Sequence, residues 1–83
     1  MATTTVTVRL SGVLAERLGS RRTIEFNGDP TVEDVVFEVG RLAGLEPEAL
    51  RSLAVVADGG FLRRDRPVAD GDEFDVLVPV AGG

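Results

Sequence analysis

The sequence predicts an α+β domain, a mixed sheet of four to five strands packed on one main helix. Three observations predict it. Residues 5–10, 22–26 and 73–78 alternate apolar and polar side chains with the two-residue period of half-buried strands. Residues 32–43 carry one apolar stripe at helical spacing. The 83 residues, 43% of them hydrophobic, suffice for one modest core and leave no room for a second domain.

The elements follow in order. In residues 5–10, Val6, Val8 and Leu10 share one face and Thr5, Thr7 and Arg9 the other, a β-branched pattern suited to a pleated surface. Ser11-Gly12 interrupts it, and Val13 to Leu18 form a short helical turn stopped by Gly19. Ile24 and Phe26 point inward from the second strand, which ends at the turn signal Asn27-Gly28-Asp29-Pro30. Thr31-Val32-Glu33-Asp34 resembles a capping box, with Asp as a shorter stand-in for Glu. Behind it Val32, Val35, Val36, Val39, Leu42 and Ala43 form the stripe, and Gly44 is a natural stop. Gly40 interrupts this helix at a cost of ~1 kcal/mol relative to Ala. Pro47 opens a second short helix over 46–50. Residues 53–57 are an apolar strand, Asp58-Gly59 a hairpin turn, and Phe61-Leu62 a short return strand. Asp70-Gly71-Asp72 turns the chain into the last strand, where Phe74, Val76 and Val78 alternate and Pro79 ends the ladder.

A helix following an antiparallel pair crosses over in the right-handed sense, so the last strand lies parallel beside the first. That arrangement is the β-grasp, or ubiquitin-like, fold. Its expected core is Val6, Val8, Leu10, Ile24, Phe26, Val32, Val35, Val36, Val39, Leu42, Leu50, Val55, Phe74 and Val76. Residues 1–78 are assigned to this domain and residues 79–83 to a flexible C-terminal tail.

Composition narrows the function. There is no Cys and no His, which excludes disulfides, a zinc site of the usual ligands and a thiol nucleophile. Lys, Tyr, Trp and Gln are also absent, and all nine basic residues are Arg. A Ser or Thr nucleophile would have no His or Lys to activate it. Side-chain catalysis by the chain itself is therefore not expected, and no bound cofactor or metal is expected either. The net charge of −5 opposes binding to nucleic acid, whose phosphates require a basic face. No apolar run approaches the ~20 residues of a membrane span. The start, Met1-Ala2-Thr3-Thr4-Thr5, lacks the basic and apolar regions of a signal peptide, so a cytoplasmic location is expected.

The sequence ends Val78-Pro79-Val80-Ala81-Gly82-Gly83, with no charge and shrinking side chains. A tail without Cβ atoms enters a tunnel too narrow for any side chain. A terminal glycine carboxylate, once adenylated, presents an unhindered acyl carbon to sulfur or an amine. Such chemistry needs none of the missing side chains, because the reactive group is the backbone's own end.

Asp70-Gly71-Asp72-Glu73-Phe74, followed by the block from Val78 to Gly83, is similar to the carboxy-terminal signature of the molybdopterin synthase small subunit. Val8-Arg9-Leu10 with Leu14-Ala15-Glu16-Arg17-Leu18-Gly19 resembles the same group's first strand and following helix. More broadly the chain resembles the ubiquitin-like sulfur-carrier family, which includes the thiamine-pathway carrier and ubiquitin-related modifiers. The resemblance implies a thiocarboxylate on Gly83, formed after adenylation by a ubiquitin-activating-type adenylyltransferase that consumes ATP. It further implies insertion of the tail into a molybdopterin synthase large subunit, which supplies the catalytic side chains. In that arrangement the chain is a non-catalytic carrier subunit of a sulfurtransferase. Three departures are visible: Val78-Pro79 stands where the molybdopterin branch often has Pro-Pro, Leu10-Ser11 lacks the aromatic that branch favours nearby, and Asp75 stands where a small or apolar residue is common. Carriers serving thiamine, cysteine, tRNA or natural-product sulfur, a protein modifier conjugated through Gly83, and a plain interaction domain are the alternatives.

Partner contact is expected from Gly82, Ala81, Val80 and Pro79 in the tail. Leu77 and Val56 point away from the core under strict alternation and extend that surface. Phe37 lies off the helical stripe, as a side chain half-covered by a loop or as an exposed contact. Arg63, Arg64 and Arg66 read as a solvated loop or an anion-docking patch, and Asp70-Gly71-Asp72-Glu73 as a turn rather than a cation site.

Overall fold

The computed structural model describes residues 2–78. Its strands are β1 (Thr3–Leu10), β2 (Arg21–Asn27), β3 (Ala54–Ala57), β4 (Gly60–Phe61) and β5 (Glu73–Leu77); its helices are α1 (Gly12–Leu18), α2 (Val32–Ala43) and α3 (Pro47–Leu50). They form one five-stranded sheet in the order β2-β1-β5-β3-β4. β1 runs antiparallel to β2 and parallel to β5, and β3 is antiparallel to both β5 and β4. The expected β-grasp architecture is present, with the last strand in the middle of the sheet.

The turns work as their residues dictate. Asp58 and Gly59 both take positive φ, 53° and 80°, which matches a two-residue hairpin to the right-handed twist of its strands. Register then sets Val56 opposite Phe61 and Ala57 opposite Gly60. At the start of α2 the Asp34 carboxylate accepts the Thr31 N–H at 2.8 Å and the Thr31 hydroxyl at 3.3 Å. The next two N–H groups of the helix, on Val32 and Glu33, donate to the carbonyls of Arg66 and Arg64, both at 2.9 Å. The 63–67 segment thus closes the helix N-terminus with its backbone. At the other end, Arg17 donates to the Ala43 carbonyl at 2.6 Å, placing a cation where the helix dipole favours one.

The core lies between the sheet and the helices. Phe74, Leu14, Val6, Val8, Val32, Val35, Val36, Val39 and Val76 are fully buried. Phe26, Leu42 and Leu50, expected in the core, pack at its margin and are only half-buried. Leu14, Ala43, Leu53 and Val68 are buried as well, because α1 and the irregular 62–72 stretch cover the ends of the barrel-like groove between sheet and α2. Gly40 explains itself here. A Cβ at that position would overlap Leu50 Cδ2 and stand 3.1 Å from Leu50 Cγ, so the missing side chain is what lets α3 rest against α2.

Candidate functional site

The sheet has one covered face and one open face, and the open face divides by chemistry. The register lines up Arg21, Arg9, Asp75, Val56 and Phe61 in a single row across all five strands. On its β2–β1–β5 side the row is ionic. Arg9 donates to both oxygens of Asp75, at 3.0 and 3.3 Å, and Arg21 reaches Glu73 at 3.4 Å. Asp75, unusual for its strand, thus has a paired guanidinium on the neighbouring strand. On the β3–β4 side the row is apolar. Leu77 sits one pleat further along β5, opposite Ala54, on the same face.

Phe61 is 78% exposed and Leu77 38%, while Val56 is half-buried. These three side chains make an apolar patch bounded by the Arg9–Asp75 pair. The expected outward pair, Val56 and Leu77, is brought together. Phe61 was missed by sequence reasoning as a member of this face. Counting across the two-residue Asp58-Gly59 turn would have found it, since that turn type sets 56 opposite 61. Val78 follows Leu77, the last residue of β5. Pro79, Val80, Ala81, Gly82 and Gly83 lie outside the described residues.

Phe37 does not join this patch. It projects from α2, on the other layer, and is 54% exposed. It lines a shallow groove of about 350 Å³ between α2 and β2, with Phe26, Pro30, Asp34, Glu38 and Arg41 among its neighbours. The hydrogen bonds from Arg41 to Glu38, at 2.8 and 2.7 Å, hold the Glu38 carboxyl below its ordinary pKa.

The arginine loop has a structural task. Arg64 donates to the Leu50 carbonyl at 2.8 Å and the Leu53 carbonyl at 2.9 Å, tying the end of α3 to the loop. Arg63 pairs with Asp65 in solvent. The 70–72 turn is equally occupied: Asp70 accepts the Thr5 N–H at 2.7 Å and Asp72 the Ala69 N–H at 2.8 Å. Among the described residues no group of three or more acidic side chains is placed to hold a metal ion, and no helix is long and apolar enough to cross a membrane.

The fold defines the class, a ubiquitin-like β-grasp protein, here with an apolar patch on the open face of its sheet. The model of the ThiS family matches residues 8–83, and the chain belongs to that family, a group of small ubiquitin-like carriers and modifiers. Among solved structures, SAMP1 of Haloferax volcanii is similar at 25% identity and a TM-score of 0.74, over 95% of this chain and 99% of that one. A Pyrococcus furiosus protein described as a molybdopterin converting factor, subunit 1, is similar at 19% identity and a TM-score of 0.73, over 93% and 99%. The Caldiarchaeum subterraneum ubiquitin is similar at 22% and 0.70, over 99% and 100%. The last two are likenesses of fold. No curated protein matches by sequence.

Proposed function

We propose that the chain is a sulfur carrier whose Gly83 carboxylate is adenylated and then converted to a thiocarboxylate. The observation that carries this reading is the family match running through residue 83, on a sequence with no Cys, His or Lys. The proposed roles divide between the domain and its C-terminal residues. The domain is a rigid handle. The patch of Val56, Phe61 and Leu77 docks against an adenylyltransferase of the ubiquitin-activating type, which spends ATP on the carboxylate. The slender segment Pro79-Val80-Ala81-Gly82-Gly83 enters that enzyme's site. Pyrophosphate leaves on adenylation, and AMP leaves when sulfur attacks the acyl carbon. The proposed acceptor pathway is molybdenum cofactor biosynthesis, with the chain as the small subunit of molybdopterin synthase beside a large subunit that contributes the catalytic groups.

Incubation with the matching adenylyltransferase, ATP and a sulfur donor tests the first step. Intact-mass spectrometry should show one oxygen replaced by one sulfur. Deleting Gly83, or adding one residue after it, should abolish the change while leaving the fold intact. Unaltered mass with a competent partner refutes the carrier reading. The similarity to SAMP1 favours a second reading, conjugation of Gly83 to lysines of other proteins. Recovery of Gly-Gly isopeptides from this chain in cell extracts would establish it. Having no Lys, the chain would cap a target once rather than build lysine-linked polymers.

A further inference from the structure

β2 is an edge strand, and its open side has a readable pattern. The Leu10 N–H donates to the Ser20 carbonyl at 2.8 Å, and the Gly28 N–H to the Ala2 carbonyl at 3.3 Å. Both pairs continue the β1–β2 register, in which Val8 faces Arg22, Val6 faces Ile24 and Thr4 faces Phe26. In an antiparallel ladder directly opposed residues alternate between bonded and non-bonded pairs. The even-numbered residues of β2 therefore spend their N–H and C=O groups on β1. Those of Arg21, Thr23, Glu25 and Asn27 point to the open edge, where no described residue pairs with them. Arg21, Thr23 and Glu25 are exposed.

We propose that this edge pairs with the same edge of a second copy, joining two sheets into one of ten strands across a two-fold axis at Thr23. The argument is self-complementarity. With Thr23 opposite Thr23, the free groups on each strand exchange both hydrogen bonds at the centre. The same register sets Arg21 of one copy opposite Glu25 of the other, twice by symmetry. An isologous contact requires such a self-matching pattern. Thr–Thr and opposite-charge pairs are favourable directly across an antiparallel ladder. A register shifted by two residues, with the axis at Ile24, would oppose Thr23 to Glu25 and Arg21 to Asn27, and one shifted by four, with the axis at Glu25, would oppose Glu25 to Glu25. Of these pairings, the one centred on Thr23 is the one that sets each Arg21 opposite an acid of β2. Arg21 now reaches across the sheet to Glu73 at 3.4 Å with a mostly exposed side chain, so its guanidinium is available. The contact is one strand wide, well short of the ~1,000 Å² of a stable interface, and the dimer is accordingly weak and concentration-dependent. It leaves the Val56–Phe61–Leu77 patch of each copy uncovered, because β4 and β2 are opposite edges of the sheet.

Sedimentation equilibrium of the full chain, from about 10 μM to about 1 mM, should show a monomer–dimer equilibrium. Thr23→Pro removes the N–H at the axis, is tolerated on an edge strand, and should leave a monomer with an unchanged circular dichroism spectrum. Arg21→Glu and Glu25→Arg should each weaken self-association by about tenfold, two attractive pairs becoming repulsive. Mixed in equal amounts, the two variants should form a heterodimer. A wild type that stays monomeric at about 1 mM overturns the proposal. So does a dimer unaffected by these charge changes, which would place the contact elsewhere.

Discussion

Replacing Gly40 by Ala should destabilise the domain, although the same change in an exposed helix would stabilise it. In helix propensity alone Ala gains about 1 kcal/mol over Gly. Against that, the new methyl would overlap Leu50 Cδ2 and stand 3.1 and 3.3 Å from Cγ and Cδ1, where ordinary carbon contacts are about 3.5–4.0 Å. Leu50 is half-buried against the core margin, so its branch must swing aside or α3 must withdraw from α2. Overpacking of this kind costs about 1–3 kcal/mol. The net change is a loss of up to about 2 kcal/mol. At about 4–8 °C per kcal/mol for a domain this small, the melting temperature falls by up to roughly 15 °C. The decisive assay is a double-mutant cycle by urea unfolding. In a Leu50→Ala background the obstructing branch is gone, and Gly40→Ala should become stabilising by about 1 kcal/mol. If Gly40→Ala has the same sign in both backgrounds, the contact with Leu50 is not the reason for the glycine.

Other expectations follow from the same geometry. Arg64→Ala should cost about 1–2 kcal/mol in chemical denaturation, since it strips a charged donor from the Leu50 and Leu53 carbonyls, while Arg63→Ala should stay within about 0.5 kcal/mol. Phe61→Ser and Leu77→Ser should weaken binding to the proposed adenylyltransferase by about tenfold in calorimetry with little loss of stability, because both side chains are exposed in the free domain. Glu38 has its pKa lowered on folding by its hydrogen bonds with Arg41, so its charge stabilises the fold above the ordinary carboxylate pKa of about 4.3 and stops doing so as pH falls through the lowered folded value. The stability difference between wild type and Glu38→Gln should therefore be small at pH 7 and shrink toward acid, as read from melting curves across pH.

Much of the fold was legible because its strands are half-buried and its main helix is amphipathic, and these are the patterns that periodicity reports. The β1, β2, β5 and α2 assignments rest on that signal, and the two positive-φ residues of the 58–59 turn on hairpin chemistry. What stayed hidden was set by groups with no period. Arg64 looks like any loop arginine until its guanidinium is seen against the carbonyls of Leu50 and Leu53. Asp70 and Asp72 look like a charged turn, yet each accepts a backbone N–H. Leu14 and Val68 are buried only because segments distant in sequence cover them. In the candidate site, Val56 and Leu77 were readable from alternation, whereas Phe61 required a register. Phe37 was readable as off the stripe, but its separation from the other two depends on which layer each element occupies.

The central place of β5 also fixes an order of events in the life of the chain. Its residues hydrogen-bond β1 on one side and β3 on the other, so the sheet has no middle until residues 73–77 exist. A ribosome-bound chain ending at residue 70 holds a β1–β2 hairpin and helices with nothing to join them to β3. The parallel β1–β5 pairing, among the most sequence-distant in the molecule, must wait until residues 73–77 have been made. A partner that recognises the open face therefore meets only chains whose sheet the central strand has already joined.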